Sequence, residues 1–301
     1  MKKSFIKIFV LMFLISNLIF SENKKLNENY GIEDGEVYYI NRKIEGADAK
    51  TFEVFEDGEY AKDKNNVYYE ENVLNEADPK SFKLLTKISY GLSKDKNNLY
   101  FWENKVNNID IKTLEIMTDE FSIYLKDKNG VYILFSYNGG LPVDLDNVIM
   151  SPKILKNVDK QTFQLIGGGY SKDKNSVFIG NQKLKGVSSK GFEVLNDSLD
   201  FVKDYKNVFY LDRAEDGITF IPRVQNTEGV DVATLESVGK SFFKDYFKDK
   251  NNVYIVASER PISTDSINTK LNFYKLIGAN PKTFELIDNF GRDDKNVYFL
   301  D

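Results

Sequence analysis

Apolar and polar residues alternate along this chain in bursts of three or four, and one burst recurs from end to end. Asp63-Lys64-Asn65-Asn66 leads into Val67-Tyr68-Tyr69, and variants open at Asp95, Asp127, Asp173, Asp204, Asp249 and Asp293, with a weaker copy at Val37-Tyr38-Tyr39. Three-residue runs of β-branched and aromatic side chains, bounded by Asp, Asn and Gly, predict short strands joined by tight turns. The copies align on Val37, Val67, Leu99, Val131, Val177, Val208, Val253 and Val297. Seven positions before this residue stands another large apolar one, in the copies Tyr60, Leu92, Tyr124, Tyr170, Phe201, Tyr246 and Phe290. In the compact copies an apolar residue also follows seven positions later, at Ile44, Leu74, Val106 and Leu184, after polar turns such as Asn41–Lys43 and Asn181–Lys183. Strands therefore lie before and after each turn.

The loop between the first two of these strands has a chemical signature. An aspartate stands four before the aligned residue in seven copies: Asp63, Asp95, Asp127, Asp173, Asp204, Asp249 and Asp293. Its carboxylate can accept from backbone N–H groups further along the loop, the usual role of Asp at a turn entrance. One before the aligned residue stand Asn66, Asn98, Gly130, Asn207, Asn252 and Asn296, with Ser176 as the exception. Asn and Gly tolerate positive φ, so this position is expected to be left-handed. These residues form the structural turn.

A second signature begins eleven residues after the aligned position in the compact copies, as in Asp48-Ala49-Lys50-Thr51-Phe52 and Asp78-Pro79-Lys80-Ser81-Phe82, and a related copy stands at Asn280-Pro281-Lys282-Thr283-Phe284. Asp or Asn followed by Pro suits a helical N-terminus, where a side chain caps and the next residue has no N–H to satisfy. The segment has room for one helical turn only. Each unit is thus about four strands and one capped turn in roughly 30 residues, a repeat that must stack to bury its apolar face. The distance from the aligned residue to the next Phe or Leu is 15 residues in the compact copies, but 32 after Val131, 27 after Val208 and 31 after Val253. These insertions, at about 137–157, 211–229 and 256–278, fall at one point of the repeat and mark a candidate binding face. The expected fold is all-β: a tandem array of about seven to eight short antiparallel β-meander repeats, each with one capped turn. It forms a single domain over residues 33–301. The alternative is a closed β-propeller, but propeller blades are usually longer than these compact units.

The N-terminus changes the picture of where the chain works. Lys2, Lys3 and Lys7 precede the apolar run Ile8–Phe20, and Ser21 offers a small residue for cleavage. This predicts a signal peptide over residues 1–21, a linker over 22–32, and an exported chain that is periplasmic, on the cell surface or secreted, with no transmembrane segment after cleavage. Losing three lysines takes the formal charge from −5 to −8, which disfavours nucleic acid as a partner. The chain has no cysteine and no histidine. Disulfides, thiol catalysis and the commonest general base are thereby excluded.

The Asp-Lys-Asn-x-Val-Tyr-Tyr motif, followed by Asp-x-Lys-Thr-Phe, resembles the DKNYY family of bacterial repeat proteins. That resemblance implies an exported or envelope-associated protein of unknown function, without an active site to carry over. Tyr205 and Asp294 stand where the motif has lysine, which argues against a strict ligand role for that lysine. Asp63 and Asn65 offer alternate oxygens as calcium loops do, yet the strand begins at once and no closing bidentate Glu follows, so turn capping is the better reading and no metal or cofactor is expected. With Tyr 18 and Phe 23 in the chain, glycan stacking is the competing use for aromatics. Tyr68, Tyr100, Tyr132, Tyr254 and Tyr298 are the rings expected to be half-exposed. No catalytic constellation emerges from acidic pairs such as Glu70-Glu71 and Asp144-Asp146. The function that follows is a non-enzymatic binding or scaffold module with a protein partner, with a glycan-binding or carbohydrate-active protein as the alternative.

Overall fold

The computed structural model describes residues 23–85, 91–136, 152–196, 198–214, 219–241, 244–258, 271–288 and 290–299. The expected signal peptide lies outside them. Eight antiparallel sheets follow one another along the chain, over residues 24–43, 53–73, 83–106, 115–154, 164–183, 193–224, 236–275 and 285–299. Seven have four strands, the eighth has three, and within each the strands pair in sequence order. The fold is an all-β series of meanders. Among the described residues the only helical element is one 3-10 turn, Val232–Thr234.

The second sheet shows how the sequence builds a unit. Tyr60–Lys62 pairs with Val67–Tyr69 across the Asp63–Asn66 loop, in the register Tyr60↔Tyr69, Ala61↔Tyr68 and Lys62↔Val67. Glu53–Val54 flanks it on one side and Asn72–Val73 on the other. The predicted capped turn precedes the first strand: Thr51 N–H donates to the Asp48 carbonyl at 3.1 Å, and Lys50 N–H to Asp48 Oδ1 at 3.0 Å. Such short strands cannot bury both faces alone, and burial comes from the neighbouring repeat.

The chain divides into two compact units. The described residues up to Leu114, with Pro152, form one; the remaining residues from Glu115 onward form the other. In the first unit, Val37 shares a buried cluster with Phe52 and Tyr68 of the next repeat, and Val67 shares one with Phe82 and Tyr100. The second unit repeats the rule, grouping Val131 with Phe163 and Phe178, Val177 with Phe192 and Phe209, and Val208 with Leu235 and Tyr254. In these five pairs the ring after one aligned residue therefore packs with the valine of the repeat before it. Tyr68, Tyr100, Tyr132 and Tyr254 are 0–7% exposed, so the expectation that they are half-exposed is wrong for those four. Tyr298 is partly exposed.

In four repeats a second tyrosine reaches into the following repeat with its hydroxyl. Tyr30 OH reaches the Glu59 and Glu70 carbonyls at 2.7 and 2.8 Å, and Tyr60 OH reaches those of Gly91 and Trp102 at 2.6 and 2.9 Å. In the second unit Tyr124 OH donates to the Gly180 carbonyl at 3.0 Å, and Tyr170 OH to that of Leu199. Burial raises the pKa of all four hydroxyls and keeps them as donors.

The left-handed position is not where the Asn pattern places it. None of Asn66, Asn98, Gly130, Asn207, Asn252 and Asn296 has positive φ. Asp63 Oδ1 instead accepts from Asn65 N–H at 2.6 Å and Asn66 N–H at 2.8 Å, which closes the loop without a left-handed residue. Positive φ falls two before the large apolar residue that precedes the loop, at Gly58, Gly168, Leu199 and Asp288, and at two further repeat positions. One is three after the aligned residue, at Ile40, Glu70, Trp102 and Gly180; the other is two before the capping residue, at Gly46, Glu76, Asn108, Asn157, Gly186, Gly229 and Gly278. The weak first copy turns through Asp34 and Gly35, both with positive φ, the two-residue form that matches strand twist. Ile40 is the most strained of these residues, a β-branched side chain at φ 54° that is 62% exposed. Ile40→Gly should raise stability by about 1 kcal/mol by relieving that conformation. Asn66→Gly should lower it, since its backbone gains nothing from added freedom. Urea midpoints of the two variants against the parent test both signs.

Candidate functional site

Six of the seven turn aspartates are at most 4% exposed and Asp293 is partly exposed. Asp63, Asp95, Asp173, Asp204, Asp249 and Asp293 each join two elements through one carboxylate. Asp63 is 3% exposed. Its Oδ1 holds the loop N–H groups, while its Oδ2 accepts from the Asp48 N–H of the preceding capped turn and from Tyr68 OH, both at 2.8 Å. Asp95, Asp173, Asp204, Asp249 and Asp293 repeat the loop bonds and also accept from the backbone N–H of Asp78, Asp159, Ser188, Asp231 and Asn280 respectively. Asp127 accepts from Asn129 and Gly130 N–H at 2.7 and 3.0 Å. Four donors saturate the Asp63 carboxylate, leaving no vacant lone pair for a cation. Among the described residues no group of three or more acidic side chains is placed to hold a metal.

The loop asparagines act through their side chains. Asn66, Asn252 and Asn296 Nδ2 donate to Tyr68, Tyr254 and Tyr298 OH at 3.3, 3.1 and 3.2 Å, and Asn98 Nδ2 donates to the Glu76 carbonyl at 3.3 Å. Asn207 contributes its backbone N–H to Asp204 Oδ1 at 2.7 Å.

A surface pair completes the joint. Lys64, Lys96, Lys174 and Lys250 form ion pairs with the capping residues Asp48, Asp78, Asp159 and Asp231. Where the motif changes, both partners change. Tyr205 replaces the lysine, and its capping partner is uncharged Ser188; Lys190 Nζ lies 5.1 Å from the Tyr205 ring centre. Asp294 replaces the last lysine, and Asn280 replaces the aspartate, donating from Nδ2 to Asp294 Oδ1 at 2.8 Å. Such matched exchanges are what a packing joint requires.

The insertions lie where the sequence puts them, between the third and fourth strands of the fourth, sixth and seventh sheets. Their central parts, 137–151, 215–218 and 259–270, lie outside the described residues. What is described is a pair of lengthened hairpins in the second unit. Val208–Arg213 pairs with Phe220–Val224, and Val253–Ser258 with Leu271–Lys275. An isolated parallel bridge between Asn226 and Asn272 connects them. The outer edge of Phe220 is closed by the Gln182 side chain, whose Oε1 accepts from Phe220 N–H at 2.8 Å and whose Nε2 donates to the Phe220 carbonyl.

Beside this contact lies a groove of about 600 Å³, lined by Ile179, Phe220, Ile221 and Pro222 together with Lys183 and Lys185. A second hollow of about 390 Å³ shares Ile179 and Phe220 and includes Tyr210, Asp200 and Asp212. The Arg213 guanidinium lies 4.9 Å from the Phe220 ring centre, and Arg223 Nε pairs with Asp212 Oδ2 at 2.9 Å. Exposed apolar side chains fall within each of the three insertion segments: Ile154 at 53% in the first, Val224 at 62% in the second, and Tyr274 at 47% with Ile277 at 79% in the third. Sequence reasoning found the insertions but not Gln182 or Phe220 as a pair. The equivalents of Gln182 are Arg42, Asn72 and Asn104, a position that varies from copy to copy and gave no signal.

The DKNYY family model matches residues 15–72 and 60–213, together two thirds of the chain. No curated protein and no solved structure matches the chain. The matched stretch ends in the sixth sheet, while the same loop and capped turn continue to residue 299.

Two outcomes follow from the aspartate joint. Asp63→Asn places an amide among N–H donors and should cost about 2 kcal/mol by urea denaturation at neutral pH. Acid should weaken the whole fold. Lysine partners hold Asp48, Asp78, Asp159 and Asp231 below the ordinary carboxylate value. Burial opposes ionisation of Asp63 and Asp249, but backbone N–H groups outweigh it, and the Asn280 N–H leads those that bring Asp293 to about 2. Depressed values give stability above the unfolded carboxylate pKa of 3.8, lost as pH falls through the folded values. The melting temperature should hold between about pH 7 and 5 and fall between about pH 4 and 2.

Proposed function

The chain belongs to the DKNYY family, and on that premise we propose that it is an exported, non-enzymatic scaffold that binds a protein partner on its insertion hairpins. The observation that carries this reading is that exposed Ile154, Val224, Tyr274 and Ile277 all fall within the three insertion segments, one of which also lines a groove with Phe220, Ile221 and Pro222. Exposed apolar side chains next to such a concavity are what a protein interface uses. Rigid repeats suit a platform, and varied loops on a platform are where recognition residues concentrate. Lys183 and Lys185 favour a partner segment with acidic groups next to its apolar anchor. Export rests on the basic start and apolar run of the first 20 residues. No helix among the described residues is long and apolar enough to cross a membrane.

The regular tyrosines give little support to a carbohydrate surface, because four of the five rings nominated for stacking are buried. The test compares the parent with a triple variant, Val224→Ser, Tyr274→Ser and Ile277→Ser, in pull-downs from envelope extracts and on a glycan array. Protein partners retained by the parent and lost by the variant are expected. Partners kept equally by both, or sugar binding without protein capture, would overturn the reading.

A further inference from the structure

The two hollows of the second unit adjoin at Ile179 and Phe220, and their charges differ in sign. Lys183 and Lys185 line only the larger, Asp200 and Asp212 only the smaller. Whether such charges can recognise anything depends on whether the chain has already paired them.

The position six after the aligned residue shows what is unusual about Lys183. In the first repeat it is Lys43, whose Nζ pairs with Glu36 at 3.3 Å and Glu45 at 3.5 Å. In the third it is Lys105, which pairs with Glu76 of the repeat before it. The positions of those three acids are taken around Lys183 by Ser176, Lys185 and Asn157. Lys183 therefore loses every partner that its equivalents use, and Lys185 adds a second positive charge. Among the described residues neither lysine forms an ion pair.

The smaller hollow carries an unpaired charge of the other sign. Asp212 is matched by Arg223 at 2.9 Å, and the Arg213 guanidinium rests on the Phe220 ring. Asp200 has only the Asn196 amide, whose Nδ2 donates to its Oδ1 at 2.8 Å, and no cation among the described residues pairs with it. The main chain of Phe220 is already engaged by Gln182, so recognition at this junction falls to side chains.

We propose that the two hollows together take an extended partner segment of mixed charge. Its acidic side chains meet Lys183 and Lys185, an apolar side chain meets Ile179 and Phe220, and a basic side chain meets Asp200. The inference rests on the protein-partner reading above and specifies the chemistry of that partner. A wholly acidic segment would bring like charge to Asp200, and a wholly basic one would bring it to the lysines. The order of charges thus selects the segment.

Fluorescence anisotropy at low salt tests this with labelled heptapeptides. The probes are Glu-Glu-Leu-Phe-Leu-Lys-Lys, the same residues in reverse order, and two forms whose charged residues are all Glu or all Lys. One of the mixed peptides should bind at least about fivefold tighter than either uniform one. In Asp200→Lys the preference should move to the all-Glu peptide, a gain that an unfolded variant could not give. Asp200→Asn keeps an acceptor for the Asn196 amide and should abolish the preference without reversing it. Equal binding of mixed and all-Glu peptides would overturn the proposal, as would an unchanged preference in Asp200→Lys or no binding of any probe. Capture from envelope extracts separates this from the broader reading. A protein partner held equally by the parent and Asp200→Lys, but lost from the Val224, Tyr274 and Ile277 triple variant, would leave the partner reading standing and remove this one.

Discussion

The structure depends on a buried carboxylate that never lacks a donor. A charged group removed from water is destabilising unless its lone pairs are filled, and Asp63 fills them from two elements at once, its own loop and the Asp48 N–H of the capped turn. The charge thereby fixes the angle between a hairpin and the segment that leads into it. Two- and three-residue strands have little pairing of their own to set that angle. Repeating the joint at Asp95, Asp173, Asp204, Asp249 and Asp293 passes the same geometry from one sheet to the next within each unit.

Apolar packing acts between successive repeats, joined in four of them by a tyrosine hydroxyl. A valine covered by the next repeat's ring gives the non-directional part of the attachment, and a phenol between two backbone carbonyls gives the directional part. In Tyr68 and Tyr254 the ring that packs with the valine also donates its hydroxyl to the carboxylate, while Phe178 and Phe209 pack there without one. Charge, ring and valine form one cooperative set, which explains why substitutions at the joint come in matched pairs at Tyr205 with Ser188 and at Asp294 with Asn280.

Most of the fold was legible because its signals are local and repeated eight times. Strands, hairpins, capped turns and insertion points all follow from residue type and spacing. The left-handed position was misread because Asn serves two ends, tolerating positive φ and donating from its amide, and in Asn66, Asn252 and Asn296 the second is what the loop uses. The true positions were partly visible, since Gly46, Gly186, Gly229 and Gly278 recur two before the capping residue, but Glu76 in that series conceals the rule. Burial of the tyrosines was hidden for another reason. Which face of a three-residue strand meets the next repeat is a property of stacking, and no single repeat encodes it.

The closed edge of Phe220 bears on how the insertion surface can be read. Gln182 occupies the outward N–H and carbonyl of Phe220, and Pro222, in the same phase of the strand, has no N–H to offer. A visiting strand finds little main chain to grip there, and the edge is insulated from indiscriminate pairing. Discrimination then falls to the side chains around the groove. Those positions can be rewritten from one relative to the next while the scaffold beneath stays unchanged, so the surface can diversify in specificity without renegotiating its fold.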